Sequence, residues 1–155
     1  MKRKTNRKQD VYAVSACLLG VPCRWNGTSA KSKRALALVQ KGHKVIAICP
    51  EVLAGLHTPR PACEIVGGDG TDVLRGNARV VDRQGRNYTK TFVRGAKRGI
   101  AVAKRAGATA AILKSSSPSC GARTIYDGTF SGHRKRGRGV FAALFKNRGI
   151  RIVSA

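Results

Sequence analysis

Three cysteines of this 155-residue chain end separate apolar runs. Cys17 lies near the end of the run Val11–Leu19, Cys49 directly follows Lys44–Ile48, and Cys120 sits in a Ser-, Pro- and Gly-rich turn after Thr109–Leu113. Thiolates are soft ligands and nucleophiles, so a gathering of them implies a metal or redox site; separately, each is also an ordinary buried packing residue. No C-x2-4-C pair of the kind that announces structural zinc is present. Three thiolates leave a tetrahedral metal one ligand short. An iron–sulfur cluster normally takes four cysteines. With three, one iron keeps an open position and acts as a Lewis acid toward soft sulfur ligands.

What brings such residues together is the order of the elements. Val11–Leu19, Lys44–Ile48, Thr109–Leu113 and Ile150–Val153 read as buried strands. Ala30–Lys41, Thr91–Ala106 and Gly139–Asn147 read as helices, the first and last stopped at Gly42 and Gly149. In Thr91–Ala106, Phe92, Ala96, Ile100 and Ala103 mark the inward face and Arg94, Lys97, Arg98, Lys104 and Arg105 the rest. Residues 52–77 read mostly as loop, and 78–89 as an inserted hairpin turning at Gln84–Gly85. Alternating strands and helices predict a single three-layer α/β domain over residues 11–155. Its mostly parallel, Rossmann-like sheet carries helices on both faces, behind a flexible basic arm at 1–10. Ligands collect beyond the carboxyl ends of such strands, which is where the three cysteines fall.

The charge is the other anomaly. Thirty-one Lys and Arg oppose seven Asp and Glu, a net +24 at pH 7. That balance points to a polyanionic partner, nucleic acid or an anionic surface. Basic residues concentrate at Lys2–Lys8, Arg94–Arg105 and His133–Arg138. Aromatic residues are only 5% of the chain, too few for a row of base-stacking rings. No apolar run reaches the ~18–20 residues of a membrane span, and the basic N-terminus lacks a long apolar stretch after it, so a cytoplasmic protein without a disulfide framework is expected. His43, His57 and His133 show no ligand spacing and read as surface residues.

The segments VSACLLGVPCRWNG, CPEVLAGLHTPRP, VVDRQGR, ILKSSSPSCG and IYDGTFSG resemble, in order and spacing, the signatures of the TudS-type thiouracil desulfidases. The resemblance runs from about Val11 to Ile150. It implies a 4Fe-4S cluster with one iron not ligated by protein, held by Cys17, Cys49 and Cys120. It also implies catalytic roles for Glu51 and Ser117. Cys23 matches a recurrent cysteine that is not a ligand, and Cys63, in RPACE where relatives carry RPPAE, stands outside the ligand set.

The function expected is removal of sulfur from thiolated uracil compounds as sulfide, without net electron transfer and with a hydrolytic outcome. Glu51 would serve as general base toward a water and Ser117 as hydrogen-bond donor or proton relay. Ser115, Ser116, Ser117 and Ser119 also suit a turn, a helix cap or a phosphate cradle, with Lys114 beside them. Trp25 is a candidate to stack on the base. The substrate is a small thiopyrimidine, its nucleotide, or thiouridine in tRNA gripped through the basic surface, with no membrane partner expected. The alternative is a basic RNA-binding module with a structural metal and no catalysis.

Overall fold

The computed structural model describes residues 9–155. Most of the expected basic arm therefore lies outside the described residues. Gln9 already contacts the body of the protein, its Nε2 donating to the Gly42 carbonyl at 2.7 Å.

Four parallel strands make the central sheet: β1 (Val11–Ser15), β2 (Lys44–Ile48), β5 (Ala110–Leu113) and β8 (Arg151–Ser154), in the order β2-β1-β5-β8. β1 is flanked on both sides, Ala13 lying opposite Ile46 in β2 and Ala111 in β5. Alternate residues face opposite layers, as the two-residue period of a strand requires. Val14 and Ile112 pack with Ala35 of α1 (Lys33–Gln40) on one face. Ala13, Ala111 and Leu113 pack with α4 (Thr89–Arg105) and α5 (Val140–Asn147) on the other. Phe92, Ala96, Ile100 and Ala103 are all buried, as the helical spacing predicts.

Between β2 and β5 the chain forms α2 (Pro50–Leu53), β3 (Cys63–Val66), α3 (Gly70–Leu74), β4 (Arg79–Asp82) and then α4. Residues 52–77 are thus more ordered than their Gly and Pro content suggested. α3 is fixed by a capping box in which Asp69 accepts from the Thr71 and Asp72 amides and Asp72 returns a bond to the Asp69 amide. The turn at Gln84–Gly85 is present, closed by the Asp82 amide on the Arg86 carbonyl. The main partner of β4 is nonetheless β3, antiparallel, with Cys63 opposite Asp82; the local hairpin keeps one bridge, Val81 to Asn87. A further pair, β6 (Thr124–Tyr126) and β7 (Arg134–Arg136), follows the Cys120 turn. Its three-residue strands, one of them all basic, carry no periodic apolar signal.

Two other expectations are corrected. The first strand ends at Ser15, and residues 16–19 turn into a short 3-10 helix closed by Gly20 at φ +99°. His43 is half-buried, edge-on to Tyr12. No helix among the described residues is long and apolar enough to cross a membrane.

Candidate functional site

β1 connects outward to β2 and then, across itself, to β5. The sheet therefore changes direction beside β1, where the carboxyl ends of parallel strands leave a crevice. A cavity of about 350 Å³ opens there. All five cysteines border it, together with Glu51, Ser117, Lys114, Ser115, Ser116 and Trp25.

Cys17 is carried by the 3-10 turn after β1. Its carbonyl accepts from the Gly20 and Ala30 amides, so its backbone is held from two sides. Cys49 caps the start of α2, with Pro50 as first helical residue and Glu51 in the first turn. Cys120 belongs to the loop after β5. Ser15, at the end of β1, accepts from the Lys114 amide at 2.9 Å and also hydrogen-bonds the Cys120 thiol. The Ser117 hydroxyl oxygen accepts from the Ser119 and Cys120 amides, both at 3.1 Å. The first amides of α5 finish the loop: Val140 donates to the Pro118 carbonyl and Phe141 to the Ser119 carbonyl.

Two glycines permit this approach. A Cβ on Gly95 would lie 2.1 Å from the Pro50 carbonyl oxygen, so α4 seats against α2 only with hydrogen there. A Cβ on Gly139 would lie 2.4 Å from the Ser119 carbonyl. Neither contact is compatible with a side chain.

The thiols influence one another. A hydrogen bond from Cys23 lowers the Cys17 pKa, against its burial. The same thiol of Cys23 raises the Cys49 pKa, and burial adds to the rise. Burial pushes Cys120 up, with the charges of Cys49 and Glu51 adding to it. Cys63 is raised to about 12 by burial and by the Glu51 carboxylate. Among the described residues no three His, Cys, Asp or Glu close around one point as a single-ion site does. The five thiols border one cavity, and Cys17, Cys23, Cys49 and Cys120 act on each other's charge.

Glu51 is held at both oxygens. Arg60 Nε lies 3.0 Å from Oε1, and Ser119 Oγ donates to Oε2 at 3.0 Å. Arg60 was not among the expected site residues, and Ser119 was expected only as a turn, cap or phosphate-cradle serine. Arg60 stands nine positions past Glu51 between two prolines, and Ser119 sixty-eight positions past it; neither distance has a local pattern. The mouth adds aromatic rings with cations upon them, Arg83 over Phe130 at 5.4 Å and Arg134 over Tyr126 at 5.6 Å. Trp25 stands 46% exposed at the rim. Lys114 turns its Nζ to the Ser115 carbonyl, while Ser116 is buried with φ +65°. His57 and His133 are exposed and do not border the cavity.

A model of the 2-thiouracil desulfurase family matches residues 12–155. The chain is 48% identical over 141 residues to the uncharacterized protein YbbK of Bacillus subtilis strain 168, covering 91% of this chain and 93% of that one. Its fold is similar to the solved structure of the [4Fe-4S]-dependent thiouracil desulfidase TudS, with a TM-score of 0.80 and 38% identity, over 94% of this chain and 91% of that one. The family model, the sequence identity and the fold agree across almost the whole length: the chain belongs to the 2-thiouracil desulfurase family.

Proposed function

We propose that this protein is an iron–sulfur-dependent desulfidase that takes sulfur from thiolated uracil compounds and releases it as sulfide. The supporting observation is that three cysteines from three strand ends share one cavity with a doubly hydrogen-bonded carboxylate. Cys17, Cys49 and Cys120 would hold a 4Fe-4S cluster with one iron free of protein ligands, and that cluster, when bound, supplies Lewis-acid affinity for a thiocarbonyl sulfur without net electron transfer.

The remaining work belongs to side chains. A carboxylate offers about four lone-pair directions, and Glu51 uses two of them on Arg60 and Ser119. The others stay available to take a proton from a water aimed at the ring carbon that bears sulfur. Carbon–oxygen bond formation and carbon–sulfur cleavage then balance with no external electron donor, and sulfur departs as hydrogen sulfide. Ser117 accepts two amides with its oxygen and keeps its own proton to donate toward the substrate. Trp25 offers a ring face to the pyrimidine, and Lys114 with Ser115 and Ser116 offers donors to a phosphate.

A second reading concerns substrate size. Every one of the seven carboxylates accepts a hydrogen bond within the protein: Asp10, Glu51, Glu64, Asp69, Asp72, Asp82 and Asp127. Two also form ion pairs, with Arg60 and Arg86. Meanwhile Lys90, Arg94, Lys97, Arg98, Lys104 and Arg105 stand exposed on α4, a face about 25 Å long with no acid on it. Such a surface favours thiouridine within RNA over a free base.

The test is anaerobic reconstitution with iron and sulfide, followed by sulfide release from 4-thiouracil, thio-UMP and thiolated tRNA. A brown protein that turns over at least one of them supports the desulfidase, and Glu51→Ala should keep the iron and lose turnover. A colourless protein that only binds RNA, with a steep salt slope, would replace it with a non-catalytic module.

A further inference from the structure

Arg60 makes more contacts at this site than a counter-ion needs. Its side chain is 5% exposed. Nε meets Glu51 Oε1 at 3.0 Å, Nη2 donates to the Cys23 carbonyl at 2.8 Å, and Nη1 donates to Thr58 Oγ1 at 3.0 Å and the His57 carbonyl at 3.3 Å. Its backbone amide donates to the Trp25 carbonyl at 2.8 Å. Three separate segments thus meet on one residue: α2 with Glu51, the loop with Cys23 and Trp25, and the proline-flanked stretch that carries Arg60 itself. The Trp25 bond is the backbone's and survives substitution, but Glu51 and the Cys23 carbonyl are joined by the guanidinium's fixed fork of donors, which a lysine ammonium, a single point, does not reproduce.

We infer that Arg60 is a positioning residue that locks the Glu51 carboxylate and the Trp25 wall of the cavity into one unit. The inference rests on the reading of Glu51 as the base. Its physical basis is that a carboxylate on a four-residue helix is poorly fixed by its own backbone, while displacement of a catalytic group by about 1 Å costs on the order of 100-fold in rate. Ser119 restrains the other oxygen from the Cys120 loop, so Arg60 is the restraint that couples Glu51 to the opposite wall.

Trp25 is the single tryptophan of the chain, so its emission reports this wall directly. The experiment compares Arg60→Gln, Arg60→Lys and Glu51→Gln with the parent, all cluster-loaded. Iron content, acrylamide quenching of Trp25, and kcat and KM for 4-thiouracil are measured. Expected are unchanged iron, increased quenching in both Arg60 variants but not in Glu51→Gln, and a kcat loss of about 100-fold with a KM change of a few fold. Combined with Glu51→Gln, Arg60→Gln should lower kcat little further, because it acts through that carboxylate. Unchanged quenching and kcat in a folded Arg60→Gln would overturn the inference. So would loss of iron from both Arg60 variants, which would make the residue part of the cluster housing. If the parent releases no sulfide from any thiolated uracil, the desulfidase reading fails, while the quenching comparison still decides whether Arg60 fixes the wall.

Discussion

Ser119 Oγ reaches Glu51 Oε2 at 3.0 Å across sixty-eight positions of sequence. The bond joins the loop after β5 to the helix after β2. Orientation of the proposed base therefore depends on the same loop that carries Cys120. Ser119 is buried at 3% exposure, and the α5 amides of Phe141 and Ala142 hold its carbonyl. Removing a hydrogen bond to a charged group costs about 1.5–3 kcal/mol. Ser119→Ala should accordingly lower kcat by roughly 10- to 100-fold while iron per chain stays at the parent level. Sulfide release under anaerobic conditions, with iron quantified on the same sample, checks it.

Ser117 differs from its neighbour in having a structural duty at its oxygen. It accepts the Ser119 and Cys120 amides, so Ser117→Ala leaves two partly buried donors unsatisfied. A loss of about 1–3 kcal/mol in urea unfolding is expected beside the loss of activity. Ser117→Thr keeps the hydroxyl and should restore most of the stability, which separates the turn from the chemistry.

The approach of α5 to the Cys120 loop makes Gly139→Ala informative. Gly139 has φ −67°, ordinary for alanine, so backbone strain does not enter. The added methyl would instead press into the backbone of Ser119. Overpacking of this kind costs about 1–3 kcal/mol. The loop must shift, and with it Cys120. The variant should reconstitute with less iron per chain and show a lower midpoint in thermal unfolding.

These relationships mark how far the sequence could be read. Apolar runs alternating with helical patterns were enough for the parallel sheet, because buried strands and amphipathic helices declare themselves through period. The same runs predicted that Cys17, Cys49 and Cys120 would share an edge, since strand ends of one parallel sheet lie together. Arg60 was invisible for the opposite reason. Its importance comes from Glu51, Cys23 and Trp25 arriving from elsewhere, and a chain with thirty-one basic residues offers no means of singling one out. β3 was missed because Cys63–Val66 is short and lies amid Gly and Pro, its pairing supplied by β4 across the α3 insertion. The Asp69–Asp72 capping box was legible locally and would have located α3.

Thiol ionisation gives a pH-dependent check on the cluster-free protein. The hydrogen bond from Cys23 lowers the Cys17 pKa, so its thiolate is present at lower pH than an ordinary cysteine's. Burial and Glu51 push Cys63 up to about 12, so its thiol stays protonated well above the range of an ordinary cysteine. As pH rises from 6, a small alkylating reagent should modify Cys17 first, with Cys49, Cys63 and Cys120, all pushed up, well behind it, read by mass spectrometry of peptides. Ionising Cys63 is easier in the unfolded chain, so its contribution to stability is complete below about pH 8.5 and declines as pH climbs toward 12. Early labelling of Cys63 would mean that it is neither buried nor beside a carboxylate in solution.

Iron content then separates the five thiols by role. Cys17, Cys49 and Cys120 come from three strand ends, and replacing any one removes a third of the proposed protein ligands. Cys63 lies on β3, outside the parallel sheet, with its sulfur 3.8 Å from the Pro61 carbonyl and its proton held by burial and by Glu51. Its place away from the three strand ends, and not its ionisation, sets it apart, since Cys49 and Cys120 are pushed up further still. Cys17→Ala, Cys49→Ala and Cys120→Ala should each emerge from anaerobic reconstitution nearly colourless, whereas Cys63→Ala should carry parent-level iron and sulfide. Cys23 sits between the two groups, hydrogen-bonded to Cys17 and Cys49 alike. As a neighbour of the proposed ligands rather than a ligand, its alanine variant should bind the full cluster, shed it faster in air, and show a shifted visible absorption band, since the one S–H that Cys23 donates to Cys17 is gone.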